Sequence, residues 1–406
     1  MEQMILQDIC KVYDCPHTTA KDEGIGIPLV RTPNIGKGRL LLTNAHRVNS
    51  DIYQERTRRA IPEEDDIIIA REAPVGNAAI IQMGQKVCLG QRVVLLKPIR
   101  DRVDPNYLVY YLLSDEIQHR LRIHANGAVV AHLNMADIRN LPVSLPSLSE
   151  QKKIGRVLKI IDDKIELNRR INDNLEQQAQ ALFKSWFVDF EPFKDGKFVE
   201  SEIGMIPEGW KVGKLEDIAD VVGGGTPSKA NALYFDKQCI PWITPKDLSI
   251  KKTKFISKGE IDITEEGYKN SSAKKIPLGS VLFSSRAPIG YISIAENELT
   301  TNQGFKSVVP VKAGTSFLYL YLKANTKAIE AQATGSTFKE ASGSLMKSLC
   351  VIIPPDTVFD SFERNAFPFF SAQANVEREI VNLSKARDTL LPRLMSGELK
   401  INDLNC

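Results

Sequence analysis

Between Glu150 and Phe187, seam residues recur in alternating steps of four and three: Ile154, Leu158, Ile161, Ile165, then Asn168 and Asn172, then Leu175, Ala179, Leu182 and Trp186. This spacing, kept for more than four heptads, predicts one long helix with a coiled-coil seam. Ser149 and Glu150 supply its expected N-terminal cap, and Pro192 and Gly196 end it. Residues 150 to 187 span roughly 55 Å at 1.5 Å per residue. A related seam runs through Val376, Ile380, Leu383, Arg387, Leu390 and Leu394, with Pro392 expected to kink or end the last turn. One amphipathic helix cannot bury such a stripe alone, so the two are expected to pack together. The domain between them returns the chain, which favours an antiparallel pair. Asn168 and Asn172 at seam positions, with Arg387 opposite, are expected to fix register.

Outside the seams the pattern changes to short apolar runs bounded by Gly, Pro and Asn, such as Asp66–Ala70 and Ser280–Phe283, which predict strands. Tyr107–Ile123 and Ser316–Gln332 have helical spacing. These stretches repeat. Ala73-Pro74-Val75-Gly76 returns as Ala287-Pro288-Ile289-Gly290, an offset of 214 that also places Ile80 on Ile294 and Gly90 on Gly304. Tyr107–Leu112 matches Phe317–Leu322, Leu6–Ile9 matches Leu215–Ile218, and Gly127 with Leu141–Pro146 matches Gly335 with Leu349–Pro354. Repeats found in one order define the organisation. The expected domains are 1–147, a spacer helix over 148–198, a second copy over 199–356 and a second spacer helix over 357–406. Helical stretches are too few to alternate with every strand, so each copy is expected to be α+β (mixed α/β) rather than doubly wound. The whole is then two tandem domains separated by two long antiparallel helices, related by a pseudo-two-fold.

Composition narrows the class further. At 406 residues, 43% hydrophobic and 25% charged, the chain is globular rather than disordered. No apolar run approaches the roughly 18 residues that cross a bilayer, and Met1–Met4 lacks the features of a signal peptide, so a cytoplasmic protein is expected. A net charge of +3 identifies no partner by itself. The six cysteines form no C-x-x-C pair and have no zinc-ligand spacing, so reduced thiols are expected, with no metal and no cofactor.

The duplicated domain plus helix, the segment Ala181–Phe190, the ending Arg387–Leu399, Ser149–Ile154 and Ile206-Pro207-Glu208-Gly209-Trp210 resemble the specificity subunits of type I restriction–modification systems. The resemblance covers nearly the whole chain. One departure is that Leu6 lacks the Gly-Trp lead-in present before the second copy. The resemblance implies two target-recognition domains, each reading half of a split sequence in double-stranded DNA. It also implies two helices that set their separation and dock two methyltransferase subunits, through which restriction subunits join. The helix-pairing and docking residues are then Leu158, Ile161, Ile165, Asn168, Leu175, Leu182, Trp186, Val376, Ile380, Leu383 and Leu390.

Reading bases needs fork-shaped donors or amides, whereas phosphates need positive charge, hydroxyls or backbone N–H groups. The first copy offers Arg31, Asn34, Lys37, Arg39, Arg47, Arg58, Arg59 and Arg71 in Gly- and Pro-punctuated loops. The second offers Thr226, Lys229, Lys246, Lys252, Ser285, Arg286, Asn302 and Gln303. Arg71 and Arg286 are read as equivalent, beside the repeated Ala-Pro turn; a structural ion pair is the competing role for both. The loops diverge between copies while the apolar framework agrees, which predicts two unlike half-sites with an unread gap.

No catalytic constellation competes. Gly223-Gly224-Gly225-Thr226 lacks the P-loop Lys and reads as a flexible loop. Asp162-Asp163-Lys164 and Glu398-Leu399-Lys400 imitate a nuclease motif but belong to or adjoin the seam helices. The five histidines have neither ligand nor triad spacing. A non-catalytic specificity subunit is therefore the reading, with two alternatives left open: a nuclease with an unrecognised site, or a coiled-coil scaffold without a DNA role.

Overall fold

The computed structural model describes residues 2–124, 132–335 and 339–401; Gly127, half of one repeat match, lies outside them. The chain forms two compact units, one of Met1–Glu166 with Asn382–Cys406, the other Leu167–Val381. The division falls inside two long helices, Leu148–Phe187 and Asp356–Met395, each 40 residues and each shared between the units.

Both units are mixed α/β and built to one plan. In the first, a five-stranded sheet runs in the order Cys10–Asp14, Val93–Pro98, Ile67–Ala70, Ala78–Ile80, Gly38–Arg39. In the second the order is Ala219–Gly223, Lys306–Pro310, Val281–Ser285, Ile289–Ala295, Phe255–Ile256. Neighbours are antiparallel except for the last strand, which is parallel in both. The run Ile67–Ala70 is apolar throughout because both faces are covered. Ile67 and Ile69 enter a core with Tyr107 and Leu108, while Ile68 and Ala70 enter another with Val30 and Val87. A smaller sheet lies beside each large one, with Ile27–Val30 central in the first unit and Ile240–Ile243 in the second.

The repeat holds at the level of single hydrogen bonds. Ile5 N–H donates to Asp8 and Lys214 N–H to Asp217; Leu6 N–H donates to Leu141 O and Leu215 N–H to Leu349 O. Both Ala-Pro bonds of the shared turn are cis, and both its glycines, Gly76 and Gly290, have positive φ. Ile67 pairs with Ile80 as Val281 pairs with Ile294, so the offset of 214 holds to that point. It then changes. Val30 pairs with Leu89, and Ile243 with Thr301, so Gly90 corresponds to Asn302 rather than Gly304. The second copy is two residues shorter between hairpin and next strand, which an ungapped match does not show.

The helices also depart from expectation in places. In the first unit the Tyr107–Ile123 helix breaks at Ser114 into Pro105–Leu113 and Asp115–His124; Ser114 is extended, at ψ 150°. Its counterpart Thr315–Gln332 is unbroken. The first long helix is capped by Ser147 rather than Ser149: Glu150 accepts from Ser147 N–H and Oγ–H, as the third residue of a capping box. Pro392 does not end the second helix, which runs on to Met395 and also passes through Pro368.

Within each unit the long helices run antiparallel. In the second, Asn168 Nδ2 donates to Glu379 at 2.9 Å and Asn172 Nδ2 to Glu377 at 3.3 Å. In the first, Arg387 pairs with Asp162 at 2.8 Å, not with either asparagine. Leu158, Ile165 and Asn168 are buried, and Ile161, Leu175, Leu182, Trp186, Val376, Ile380, Leu383 and Leu390 partly so. Phe183 and Phe187, outside the seam pattern, are buried against Phe317 and Phe362 in the second unit's core.

Each unit also joins helix to domain through a cap, arranged in opposite ways. Asp104 caps the helix beginning at Pro105 by accepting from Tyr107 N–H, and the long helix passes with Gly155, where a Cβ would lie 2.6 Å from Tyr107 N. In the second unit the domain residue is Gly314, and Glu363 of the long helix accepts from Ser316 N–H and Oγ–H.

Candidate nucleic-acid interface

The second unit gathers most of its predicted residues around one cleft of about 460 Å³, lined by Thr226, Lys229, Lys246, Arg286, Asn302 and Gln303 together with Thr244 and Glu260. Three loops build it. The first leaves Gly223-Gly224-Gly225, which is packed rather than flexible: a Cβ on Gly224 would meet Asn302 O at 2.0 Å, and one on Gly225 would meet Ala273 N at 2.3 Å. Only glycine lets three backbones approach so closely. Thr226 then donates its hydroxyl to Gln303. The second loop is a turn in which Asp247 accepts from Thr244 N–H and Oγ–H, placing exposed Lys246 in an ion pair with Glu260 at 2.7 Å. The third carries Asn302, whose Oδ1 accepts from Gly304 N–H.

Arg286 stands at the rim, 3.5 Å from Glu340, which also pairs with Lys306 at 3.2 Å. Lys229 is exposed, and Lys252 is exposed in a left-handed conformation outside the cleft. Ser285 is fully buried and spends its hydroxyl on Gly304 O, leaving no surface for a ligand.

The first unit presents different chemistry on the same frame. Arg31 and Asn34 form the turn equivalent to Thr244 and Asp247: Asn34, buried, accepts from Arg31 N–H and donates to Leu41 O. Arg47 donates to Gly26 O, while Lys37, Arg58 and Arg59 are exposed. Arg39 is taken up by Asp163 of the long helix. Arg71 is held at 2.8 Å by Asp14 and also donates to Leu133 O.

Arg71 and Arg286 are not equivalent. Arg71 N–H bonds Arg92 O as Ser285 N–H bonds Gly304 O, so Arg71 corresponds to Ser285 and Glu72 to Arg286. Glu72 is paired with Arg92 at 2.9 Å. The corrected register also brings forward a residue that sequence reading missed. Gln91 corresponds to Gln303; its amide donates to His17 O and Thr19 Oγ1. Counting two fewer residues in the second copy before Thr300 is the signal that finds it.

The carboxylates of the nuclease-like motif are occupied. Asp162 accepts from Tyr110 and Arg387, and Asp163 from Arg39 and Lys159. Among the described residues no three His, Cys, Asp or Glu side chains gather as a metal site, and no helix is long and apolar enough to cross a membrane.

The chain is a duplicated α/β module that carries unlike polar loops on one framework, together with two long helices. The family model described as type I restriction modification DNA specificity domain matches residues 1–177 and again 207–358. The chain belongs to the type I restriction–modification specificity subunits, and its role is DNA sequence specificity. It is 29% identical over 376 residues to the type I restriction enzyme MjaIX specificity subunit of Methanocaldococcus jannaschii, covering 88% of this chain and 82% of that one. It is 26% identical over 410 residues to the HindI specificity subunit of Haemophilus influenzae, covering 85% and 88%. A crystal structure of a type I restriction–modification S subunit from M. genitalium shares the fold, with a TM-score of 0.63 at 14% identity over 97% of this chain and 95% of that one.

Proposed function

We propose that this chain reads a bipartite, asymmetric site in double-stranded DNA, one half through each unit, and is itself without catalytic activity. One observation carries the reading: equivalent positions on one framework hold unlike side chains. Thr244, Lys246 and Arg286 in the second unit stand where the first has Arg31, Pro33 and Glu72. Hydrogen-bonding groups of different type and charge select different base edges. In the second unit Gln303 and Asn302 supply amides suited to adenine, while Lys229, Lys246 and Arg286 supply charge for phosphate or guanine. In the first, Arg31, Lys37, Arg58 and Arg59 supply the charge.

The helices offer their outward surface to two methyltransferase subunits, which flip and methylate the base and bring in restriction subunits. The protein works in the cytoplasm. The test is a map of methylated positions in genomic DNA with and without this chain. An interrupted sequence of two dissimilar halves, methylated only when the chain is present, is expected. A continuous or palindromic site, or a map indifferent to the chain, rejects the reading, as does cleavage of DNA by the purified chain with Mg²⁺ alone.

A further inference from the structure

In each unit a single stretch of chain leaves the reading turn and ends on a carboxylate of the first long helix. In the first unit it runs from the Arg31–Asn34 turn to the edge strand Gly38–Arg39, where Arg39 pairs with Asp163. In the second it runs from the Thr244–Asp247 turn through Pro245–Lys251 to Lys254, beside the edge strand Phe255–Ile256. Lys254 pairs with Glu176 at 3.0 Å and donates to Gln373 at 2.7 Å. These two strands take the same place in their sheets, parallel to Ala79–Ile80 and to Ile294–Ala295. The two cations therefore sit one residue apart on a common frame, since Arg39 corresponds to Phe255.

Lys254 is the more deeply seated, 6% exposed, with its ammonium over the rings of Phe370 and Tyr319 at 3.3 and 4.3 Å. Glu377 of the second long helix accepts from the backbone N–H groups of Lys254 and Phe255, so main chain and side chain are both clamped. Burial pulls the Lys254 ammonium down to about 8, against the opposing pull of Glu176. Burial would raise Glu176, but Lys254 and Lys323 outweigh it and hold the carboxyl at about 2. An ion pair this enclosed contributes little net stability compared with an apolar substitute; what it supplies is a fixed geometry.

We propose that Arg39 and Lys254 are positioning residues, each pinning the strap that carries its unit's reading turn to the helices and so setting the pose from which that unit meets DNA. This rests on the two-reader function proposed above. It assigns Arg39 to the helix rather than to a phosphate. It also means that a residue with no access to DNA governs the selectivity of one half-site, because an offset of about 1 Å in a bonding group is enough to lose a directional contact.

The test uses the full chain assembled with the methyltransferase subunits of its own system, selecting sites from a randomised DNA library. Lys254→Met keeps the apolar stem between the aromatic rings, and Glu176 retains Lys323 at 2.7 Å. Arg39→Met leaves Asp163 paired with Lys159. Both variants should therefore fold, which thermal unfolding checks. Lys254→Met should relax discrimination at one half-site by about tenfold and spare the other, with Arg39→Met doing the reverse. Arg39→Asp combined with Asp163→Arg should restore it. A bipartite wild-type site with unaltered preference in both variants overturns this inference alone, as does equal loss at both halves from either one. A wild-type complex that selects an uninterrupted site overturns the two-reader function and this inference with it.

Discussion

The two units share a sheet order and its framework hydrogen bonds, yet at the turn and cleft positions their side chains largely differ. The turn that reads Arg31-Thr32-Pro33-Asn34 in one reads Thr244-Pro245-Lys246-Asp247 in the other, and both close through the fourth side chain accepting from the first residue's N–H. The amide of Gln91 is spent on His17 O, whereas Gln303 meets the hydroxyl of Thr226 at the cleft. Backbone hydrogen bonds and apolar packing constrain geometry without specifying loop chemistry. The copies can therefore diverge in what they bind while folding alike.

The largest effect should come from disturbing what differs beneath the surface, the opposed helix caps. Gly155→Glu places a carboxylate against Asp104 where even a Cβ is too close to Tyr107 N, and should cost about 3 kcal/mol in urea unfolding. Adding Asp104→Gly recreates the Gly314–Glu363 arrangement and should recover more than half of that loss. A double variant no better than the single one shows that the units are less interchangeable than their hydrogen bonds imply.

Next in size is the acid response of Glu176 in the second unit. Glu176 sits at about 2 instead of 4.5, so its stabilisation is complete above pH 4.5 and lost as pH falls from there to 2. Glu176→Gln should remove at most about 3 kcal/mol of that dependence. Unfolding curves of the variant and the parent protein that keep the same slope over this window would contradict it.

The smallest effect separates the reading surfaces themselves. Arg286→Ala should weaken binding of the assembled complex to one half-site by about 1–3 kcal/mol, with the other unchanged, because its counterpart Glu72 has the opposite charge. Unchanged affinity and preference would return Arg286 to a purely structural role beside Glu340.

The seam helices, the strands and the duplication were legible because each is a periodic signal repeated over many residues. Ser114 was not: one extended residue interrupts a helix whose apolar spacing continues across it. Pro368 and Pro392 remain within a helix that their sequence argues against. The site was legible as residue types but not as partners. Arg71 and Arg286 look alike beside the same turn, yet the offset of 214 already sets Arg71 on Ser285, and the hydrogen bonds of those two residues agree. Gln91 was hidden by a two-residue deletion that an ungapped match passes over. Arg39 reads from the sequence as a loop cation, and nothing local reveals that a helix more than a hundred residues later holds it.

The opposed caps also bear on inheritance. A domain and the helix against it form a matched couple, Asp104 with Gly155 and Gly314 with Glu363. A genetic crossover that moved the first domain onto the second helix would mate two acids, and the reverse exchange would mate two glycines and leave a helix end bare. New specificities by shuffling are thus open to recombinants that carry domain and strut together, or that exchange only the loops beyond the cap.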